Sequence, residues 1–213
     1  MAHDIKTPLT ILRGNAELLQ ETKLDSEQKD YLNYILKNSK RIEDYSQTLI
    51  LMNKTEAIEK NSFEKINSHD LAEKIIGLSQ EICLLEKRKF KTKVNISRKS
   101  KIFLDMDLFE RAFENILSNA CLYSPKKSPI DLEIKEEKNY LEIKLRDFGQ
   151  GFSKEDLLHA EEKFYRGDSS RHSDKNFGLG LYTARKIVDL HKGDMILENI
   201  KENPKIVEYI IAA

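Results

Sequence analysis

A chain of 213 residues is long enough for one large domain or two modest ones, each able to bury a core. Its 36 basic residues balance 36 acidic ones, so no net field favours nucleic acid or an anionic membrane as partner. Charged residues at 34% and apolar ones at 39%, without long single-sign blocks, exclude a disordered chain and suit a folded, helix-rich one. No run approaches the roughly 18 consecutive apolar residues of a membrane span. No charged-then-apolar leader opens the chain, so the segment is expected to be cytoplasmic, without membrane contact. Cys83 and Cys121 lie in apolar helical patterns without metal-ligand spacing, which predicts reduced structural residues.

In chain order, Ile5, Leu9, Leu12, Ala16 and Leu19 recur at intervals of four, three, four and three, the seam of a helix that meets other helices. A first helix to about residue 21 follows. After a polar turn at Thr22 to Asp25, Ile35, Ile42 and Leu49 stand seven apart, interleaved with Tyr31, Asn38, Tyr45 and Met52. The two helices form an antiparallel hairpin whose exposed seam invites a partner hairpin. The second reads longer than the first, as expected if the first begins further upstream. Asn53 to Asn67 is polar and breaks the heptad, which predicts a domain boundary with a short strand near Ser62 to Ile66.

Ser68 or Asp70 is then placed to cap a helix with the stripe Leu71, Ile75, Leu78, Ile82 and Leu85. Short strands follow near Lys93 to Ile96 and Lys101 to Leu104, then a helix from about Asp107 to Leu122. Ile130, Leu132 and Ile134 alternate, as do Leu141, Ile143 and Leu145, so two strands pair through the Glu137 to Asn139 turn. Beyond a long polar loop, a helix from Gly180 to about His191 and a closing strand marked by Val207, Tyr209 and Ile211 complete helices on one face of a mixed sheet.

Four segments carry chemistry. Asn115 and Asn119 sit four apart on the helix wall away from Ala112, Phe113, Ile116 and Leu117, so their amides are neighbours, an arrangement that solvated polar positions also show. Asp147 continues the inward parity of Leu141, Ile143 and Leu145, and a buried acid needs a partner. The chain then turns on Gly149 and Gly151, which permit close backbone approach. Gly178-Leu179-Gly180-Leu181 opens a helix, where backbone N–H groups meet phosphate. His3-Asp4-Ile5-Lys6-Thr7-Pro8 places an imidazole beside an acid, a hydroxyl four residues on, and a proline that should bend the helix. His69, His159, His172 and His191 show no pairing for a metal and read as surface or capping residues.

In this order the segments resemble two-component sensor histidine kinases over nearly the whole chain. His3 to Thr10 is similar to the phosphoacceptor box, Phe113 to Ala120 to the N box, and Asp147 to Gly151 to the Asp-x-Gly-x-Gly element of GHKL ATPases. Lys163-Phe164-Tyr165-Arg166 is similar to the F box that precedes the second glycine box. The resemblance implies an α+β chain with a two-helix hairpin at 1–56 that forms a dimeric four-helix bundle. An α/β sandwich of the GHKL type at 62–213 follows, with a lid at about 152–177.

It implies ATP and Mg²⁺ as cofactors, with Asn119 as metal ligand, Asn115 beside the phosphates and Asp147 accepting the adenine amino group. Gly149, Gly151, Tyr123, Phe164, Tyr165, Arg166, Gly178, Leu179, Gly180 and Leu181 would line the nucleotide, and Arg171 and Lys175 are further cations of the lid. It implies that His3 attacks the γ-phosphate with Asp4 as acceptor and base, and that Thr7 serves dephosphorylation of a regulator. The implied partners are a response regulator receiver domain and a second copy of the chain, with no nucleic acid, and the full-length protein is expected to be anchored in the bacterial membrane.

Two positions depart from the pattern. Leu122 stands where a Lys or Arg is usual, and Asn176 where a glycine is. These keep open the alternative of a non-catalytic dimeric signalling module with weak or absent nucleotide binding.

Overall fold

The computed structural model of the chain describes residues 2–57, 63–97, 100–138, 140–167, 178–200 and 205–212. It divides into two compact units, Met1–Ala57 and Ile58–Ala213. No described helix is long and apolar enough to cross a membrane.

The first unit is a hairpin of α1 (Ala2–Gln20) and α2 (Ser26–Ala57). Its turn is fixed by a reciprocal cap: Gln28 N–H donates to Asp25 Oδ1 at 2.8 Å and Asp25 N–H to Gln28 Oε1 at 3.1 Å. Along α2 the buried line is Leu32, Ser39 and Ser46, seven apart, and on α1 it is Ala16. Small residues there let the helices approach closely, and Ser39 returns its hydroxyl to the Ile35 carbonyl at 2.8 Å. Ile35 and Ile42 do not close the hairpin and remain exposed, as expected of that seam. Ile35 is 45% exposed and Ile42 49%, with Ile11, Leu12, Leu18 and Leu19 exposed on α1. The side chains of Leu49 and Met52 lie outside the described residues.

The second unit contains β1 (Glu64–Asn67), α3 (Ser68–Leu85), β2 (Lys89–Asn95), β3 (Lys101–Leu104), α4 (Met106–Tyr123), β4 (Pro129–Glu136) and β5 (Tyr140–Asp147). It continues with α5 (Lys154–His159), α6 (Gly180–Leu190), β6 (Asp194–Asn199) and β7 (Lys205–Ala212). β1 and β3 form a separate antiparallel pair; the main sheet has five strands in the order β2-β4-β5-β7-β6. It is mixed, because β2 runs parallel to β4 while the other neighbours are antiparallel. In the β4–β5 register Leu132 faces Leu145 and Ile134 faces Ile143, all buried. The other face of the same strands carries Glu133, Lys135, Glu142 and Lys144, in ion pairs such as Lys93–Glu133 at 2.7 Å and Lys144–Glu142 at 3.2 Å. Helices cover one face and charge covers the other, as expected.

Several local expectations change. The cap of α3 is Asn67, whose side chain accepts the His69 N–H at 2.8 Å, rather than Ser68 or Asp70. Ser68 is buried instead, donating to the Ser97 carbonyl at 2.7 Å. The buried stripe of α3 is Leu71, Ala72, Ile75, Ser79 and Cys83, while Leu85 is exposed: the helix keeps a four-residue step and rotates away from the expected seam. β2 begins at Lys89, four residues before the expected strand; α5 lies within the stretch expected as a long polar loop, and β6 stands where no element is expected. Cys83 and Cys121 are free and buried, and the neighbouring Cys121 thiol, with burial, pushes the Cys83 pKa up.

His191, expected as a surface or capping residue, is the C-cap of α6 but is buried, against the Phe63 ring at 4.8 Å and edge-on to Phe109 at 6.4 Å. Asp105 N–H donates to its Nε2 at 3.0 Å, so the ring proton resides on Nδ1 and is donated to the Ile187 carbonyl at 2.7 Å. Both nitrogens are satisfied in the neutral form, and burial holds the pKa below the usual histidine value. The unfolded chain takes up a proton near the ordinary pKa of about 6.5 while the folded ring refuses it. Stability contributed by His191 is thus present above about pH 6.5 and lost as pH falls toward the lower folded pKa. Urea midpoints between pH 7 and 5.5 should fall more steeply for the wild type than for His191→Gln; parallel slopes would exclude the effect.

Candidate functional site

The site is built on α4. Asp105 caps the helix by accepting the Leu108 N–H at 3.0 Å. Leu108, Phe109, Ala112, Phe113, Ile116, Leu117 and Ala120 are buried and fix its rotation. Asn115 and Asn119, both half-buried, consequently face the start of α6. A Cβ on Gly180, the first residue of α6, would lie 3.6 Å from Asn119 Nδ2 and 3.7 Å from Asn115 Oδ1. The structure thus joins two motifs separated by some sixty positions in sequence.

α6 begins without a side-chain cap, at the buried Leu179. Its first N–H groups therefore have no side-chain acceptor from the cap residue, the condition that suits a helix start to an anion. Gly178 precedes it with φ +67, a left-handed conformation, and a Cβ there would run into the Tyr165 carbonyl. Phe164, itself at φ +67, donates its N–H to the Gly178 carbonyl at 2.9 Å. Phe164 and Tyr165 are thereby placed against the second glycine element, with Arg166 half-buried next to them and Lys163 over the Phe164 ring at 5.5 Å. Tyr165 donates its hydroxyl to Asp156 Oδ1 at 3.1 Å, and Asp156 also completes the capping box of α5 with Ser153. Leu181 is half-buried on the first turn of α6.

Asp147 closes β5 and is only 4% exposed. Gly149 N–H donates to its Oδ1 at 2.7 Å, and the Ser124 hydroxyl lies 3.4 Å from the same oxygen. Ser124 in turn accepts the Phe148 N–H at 3.2 Å, so the end of α4 and the end of β5 are stitched together. Gly149 is obligatory: a Cβ would stand 2.7 Å from the Tyr123 carbonyl oxygen and 2.9 Å from Asp147 Oδ1. Tyr123 is half-buried beside this turn. Gly151 has φ +80, and the strand missed in the sequence, β6, supplies Asn199, whose amide accepts the Phe152 N–H at 2.8 Å and donates to the Phe152 carbonyl at 2.7 Å.

His3 and Asp4 stand on the first turn of α1, with side chains outside the described residues; Thr7, one turn on, is exposed. Arg171, Lys175, Asn176 and Phe177 also lie outside the described residues. Leu122 is half-buried. His69 lies 3.5 Å from Glu73, with Asp70 beside them, as an exposed first-turn pair of α3. Sequence reasoning missed Ser124, Arg88 and Asn199, because each acts through a distant partner with no local signal, and Asp156, for which the Ser153-x-x-Asp156 capping box is a local signal.

The donor set fits a metal-bound nucleotide: two amides, a helix start with no side chain between it and them, and a buried carboxylate beside a glycine turn. An amide oxygen suits Mg²⁺, a hard cation that takes few protein ligands.

Comparison with known proteins agrees with this geometry. Residues 1–58 match the family model of the His Kinase A phospho-acceptor domain. Residues 104–208 match that of the histidine kinase-, DNA gyrase B- and HSP90-like ATPases. The chain is 37% identical over 204 residues to the sensor histidine kinase SpaK of Bacillus subtilis, covering 93% of this chain and 43% of that one. It is 32% identical to the nisin biosynthesis sensor protein NisK of Lactococcus lactis subsp. lactis, covering 93% and 44%. The chain spans less than half the length of these two curated relatives.

Among solved structures, full-length ShkA in complex with AMPPNP has a TM-score of 0.76 at 17% identity, covering 100% of this chain and 45% of that one. The Acinetobacter baumannii histidine kinase AdeS has a TM-score of 0.61 at 20% identity, covering 100% and 98%. Family models over residues 1–58 and 104–208, and relatives aligned across more than nine-tenths of the chain, place it in the two-component sensor histidine kinase family.

The glycines separate backbone need from open space. Gly149→Ala forces a backbone oxygen and a buried carboxylate apart and should destabilise the chain by about 1–3 kcal/mol. Gly180→Ala meets only ordinary contacts and should match or exceed wild-type stability, since alanine is the better helix former. Urea denaturation of the two variants beside wild type measures both, and equal midpoints would contradict the cradle at Gly149.

Proposed function

We propose that the chain is an ATP-dependent protein-histidine kinase that phosphorylates His3 and passes the phosphoryl group to an aspartate of a response regulator receiver domain. The observation that carries the reading is the start of α6 set against Asn115 and Asn119, with Asp147 buried in the same unit.

In this reading Asp147 accepts the adenine amino group, Gly149 and Gly151 let the backbone approach the base, and Tyr123 lies beside it. Gly178 and Gly180 admit the phosphates to the first turn of α6, where Leu179 and Leu181 anchor the helix. Phe164, Tyr165 and Arg166 hold the base of the lid. Asn119 would hold the Mg²⁺ together with the nucleotide oxygens, and Asn115 would help hold the phosphates. The ion supplies neutralisation of phosphate charge, which dominates phosphoryl transfer together with positioning.

One imidazole nitrogen of His3 forms a bond to the γ-phosphorus, the bond to the bridging oxygen breaks, and ADP leaves. Asp4 takes the ring proton from the other nitrogen. Thr7, exposed and one turn from His3, orients water for the reverse task of dephosphorylating the regulator. The chain works on the cytoplasmic side of a membrane-anchored protein.

Labelling with MgATP tests the chemistry. Wild type should give an acid-labile, base-stable phosphoprotein; His3→Gln should give none, and Asn119→Ala should lose most of the label while retaining its fold by circular dichroism. Thr7→Ala should spare labelling and slow regulator dephosphorylation. Equal labelling of wild type and His3→Gln would remove His3 from its role.

The functional state is a homodimer. Ile35, Ile42, Ile11, Leu12, Leu18 and Leu19 offer exposed apolar surface that the hairpin does not bury within one chain. A second hairpin would cover it as a four-helix bundle. Sedimentation should show a concentration-dependent dimer that Ile35→Asp weakens at least tenfold, since each buried side chain of this kind contributes about 1.5–3 kcal/mol. A strictly monomeric wild type at high concentration would overturn the bundle.

A further inference from the structure

We propose that Arg88 is a positioning residue for base recognition, a role that rests on the reading of Asp147 as the adenine acceptor. Arg88 lies in the turn after α3, far in sequence from the motifs of the site. Its place is set by the way α3 ends. Glu86 is the cap, and Lys87 follows with φ +53. Arg88 N–H closes back to the Cys83 carbonyl at 2.7 Å, and Lys87 N–H to the Leu84 carbonyl at 3.1 Å. A lysine in the left-handed region is strained where glycine would not be, and the turn aims the Arg88 side chain at the C-terminus of α4.

There the guanidinium gathers the carbonyls that the helix leaves unpaired. Arg88 donates to the Ser124 carbonyl at 2.8 Å, and also to those of Cys121 and Pro125. A planar cation with several donors matches three converging oxygens at the negative end of a helix, which a lysine ammonium would meet as a single point charge. The residues so held form one wall of the Asp147 turn. The Tyr123 carbonyl packs against Gly149, and the Ser124 hydroxyl bridges Phe148 N–H and Asp147 Oδ1. Arg88 acts through Ser124, which holds the carboxylate that would read the base. The phosphate end of the site, at Gly180 and the Asn pair, is placed by the packing of α4 against α6.

The full chain is titrated with ADP, with GDP and with inorganic tripolyphosphate, a probe with no base, at constant Mg²⁺. Arg88→Ala should lower the preference for ADP over GDP about tenfold, the scale of one lost hydrogen bond to a charged group. It should leave tripolyphosphate affinity within twofold of wild type, and Arg88→Lys should recover part of the preference. Ser124→Ala should reproduce the loss with Arg88 intact, and it decides the matter alone if Arg88→Ala does not fold. An unchanged preference in Arg88→Ala, or in Ser124→Ala in that case, overturns the proposal when Asp147→Asn does lose it. So does an equal weakening of ADP and tripolyphosphate, which is the mark of general destabilisation. If Asp147→Asn keeps the wild-type preference, the reading of Asp147 fails instead, and the role of Arg88 falls with it.

Discussion

The rotation of α4 about its own axis is the constraint on which the second unit depends. Eight of its apolar side chains are buried in one stripe, and α3, α6 and β5 all pack on it. Turning the helix by one residue would move large groups such as Phe109, Phe113 and Ile116 toward water, at a cost of several kcal/mol. The polar wall therefore has no freedom of its own: Asn115 and Asn119 point where the core leaves them. The same packing delivers the end of the helix to β5, where Tyr123 and Ser124 close on the Asp147 turn. One apolar stripe thus sets the position of both ends of the nucleotide site.

Elements with strong periodicity were legible in the sequence. α4, β4, β5 and α6 stand where their spacing puts them, and the inward parity of Asp147 is realised as burial. The misses have physical causes. β2 reads Lys-Phe-Lys-Thr-Lys-Val-Asn, an edge strand of which only Phe90 is part-buried; it overlaps the strand expected near Lys93 to Ile96 but starts four residues earlier. α5 is a short helix with no buried residue, so it has no apolar face to read. β6 buries Met195 but exposes Asp194, Glu198 and Asn199. His191 looked like a polar helix end; only the fold brings Phe63 and Asp105 to it. Within the site, glycines and amides were recognisable because chemistry fixes their residue types. Their supports were not, because Ser124, Asn199 and Arg88 bond partners across 23 to 47 positions.

The hairpin separates two uses of a heptad that the sequence superimposes. Large residues at Ile35 and Ile42 draw the eye, yet the contact within one chain is made by Leu32, Ser39 and Ser46. Serine in that line costs little, because its hydroxyl can return to the preceding turn, as Ser39 does. It also brings the helix axes close. The larger side chains are then left on the outside of the single hairpin. A hairpin meant to stand alone would gain by burying its isoleucines; one that is half of a bundle must leave them out.

Strain in the second unit is distributed unevenly. Lys87 and Lys192, both left-handed, each follow the cap of a helix whose last carbonyls are satisfied by the turn, so the conformation is repaid locally. Phe164 at φ +67 ends no α-helix, and a bulky aromatic residue there costs of order 1–3 kcal/mol. It persists because its surroundings over-determine it: the Phe164 N–H is bonded to Gly178, and the next residue is tied by its hydroxyl to Asp156. The two sides of that clamp flank residues 168–177, between the F box and the second glycine element. The contact thus holds the F box against the second glycine element at the expense of one strained residue.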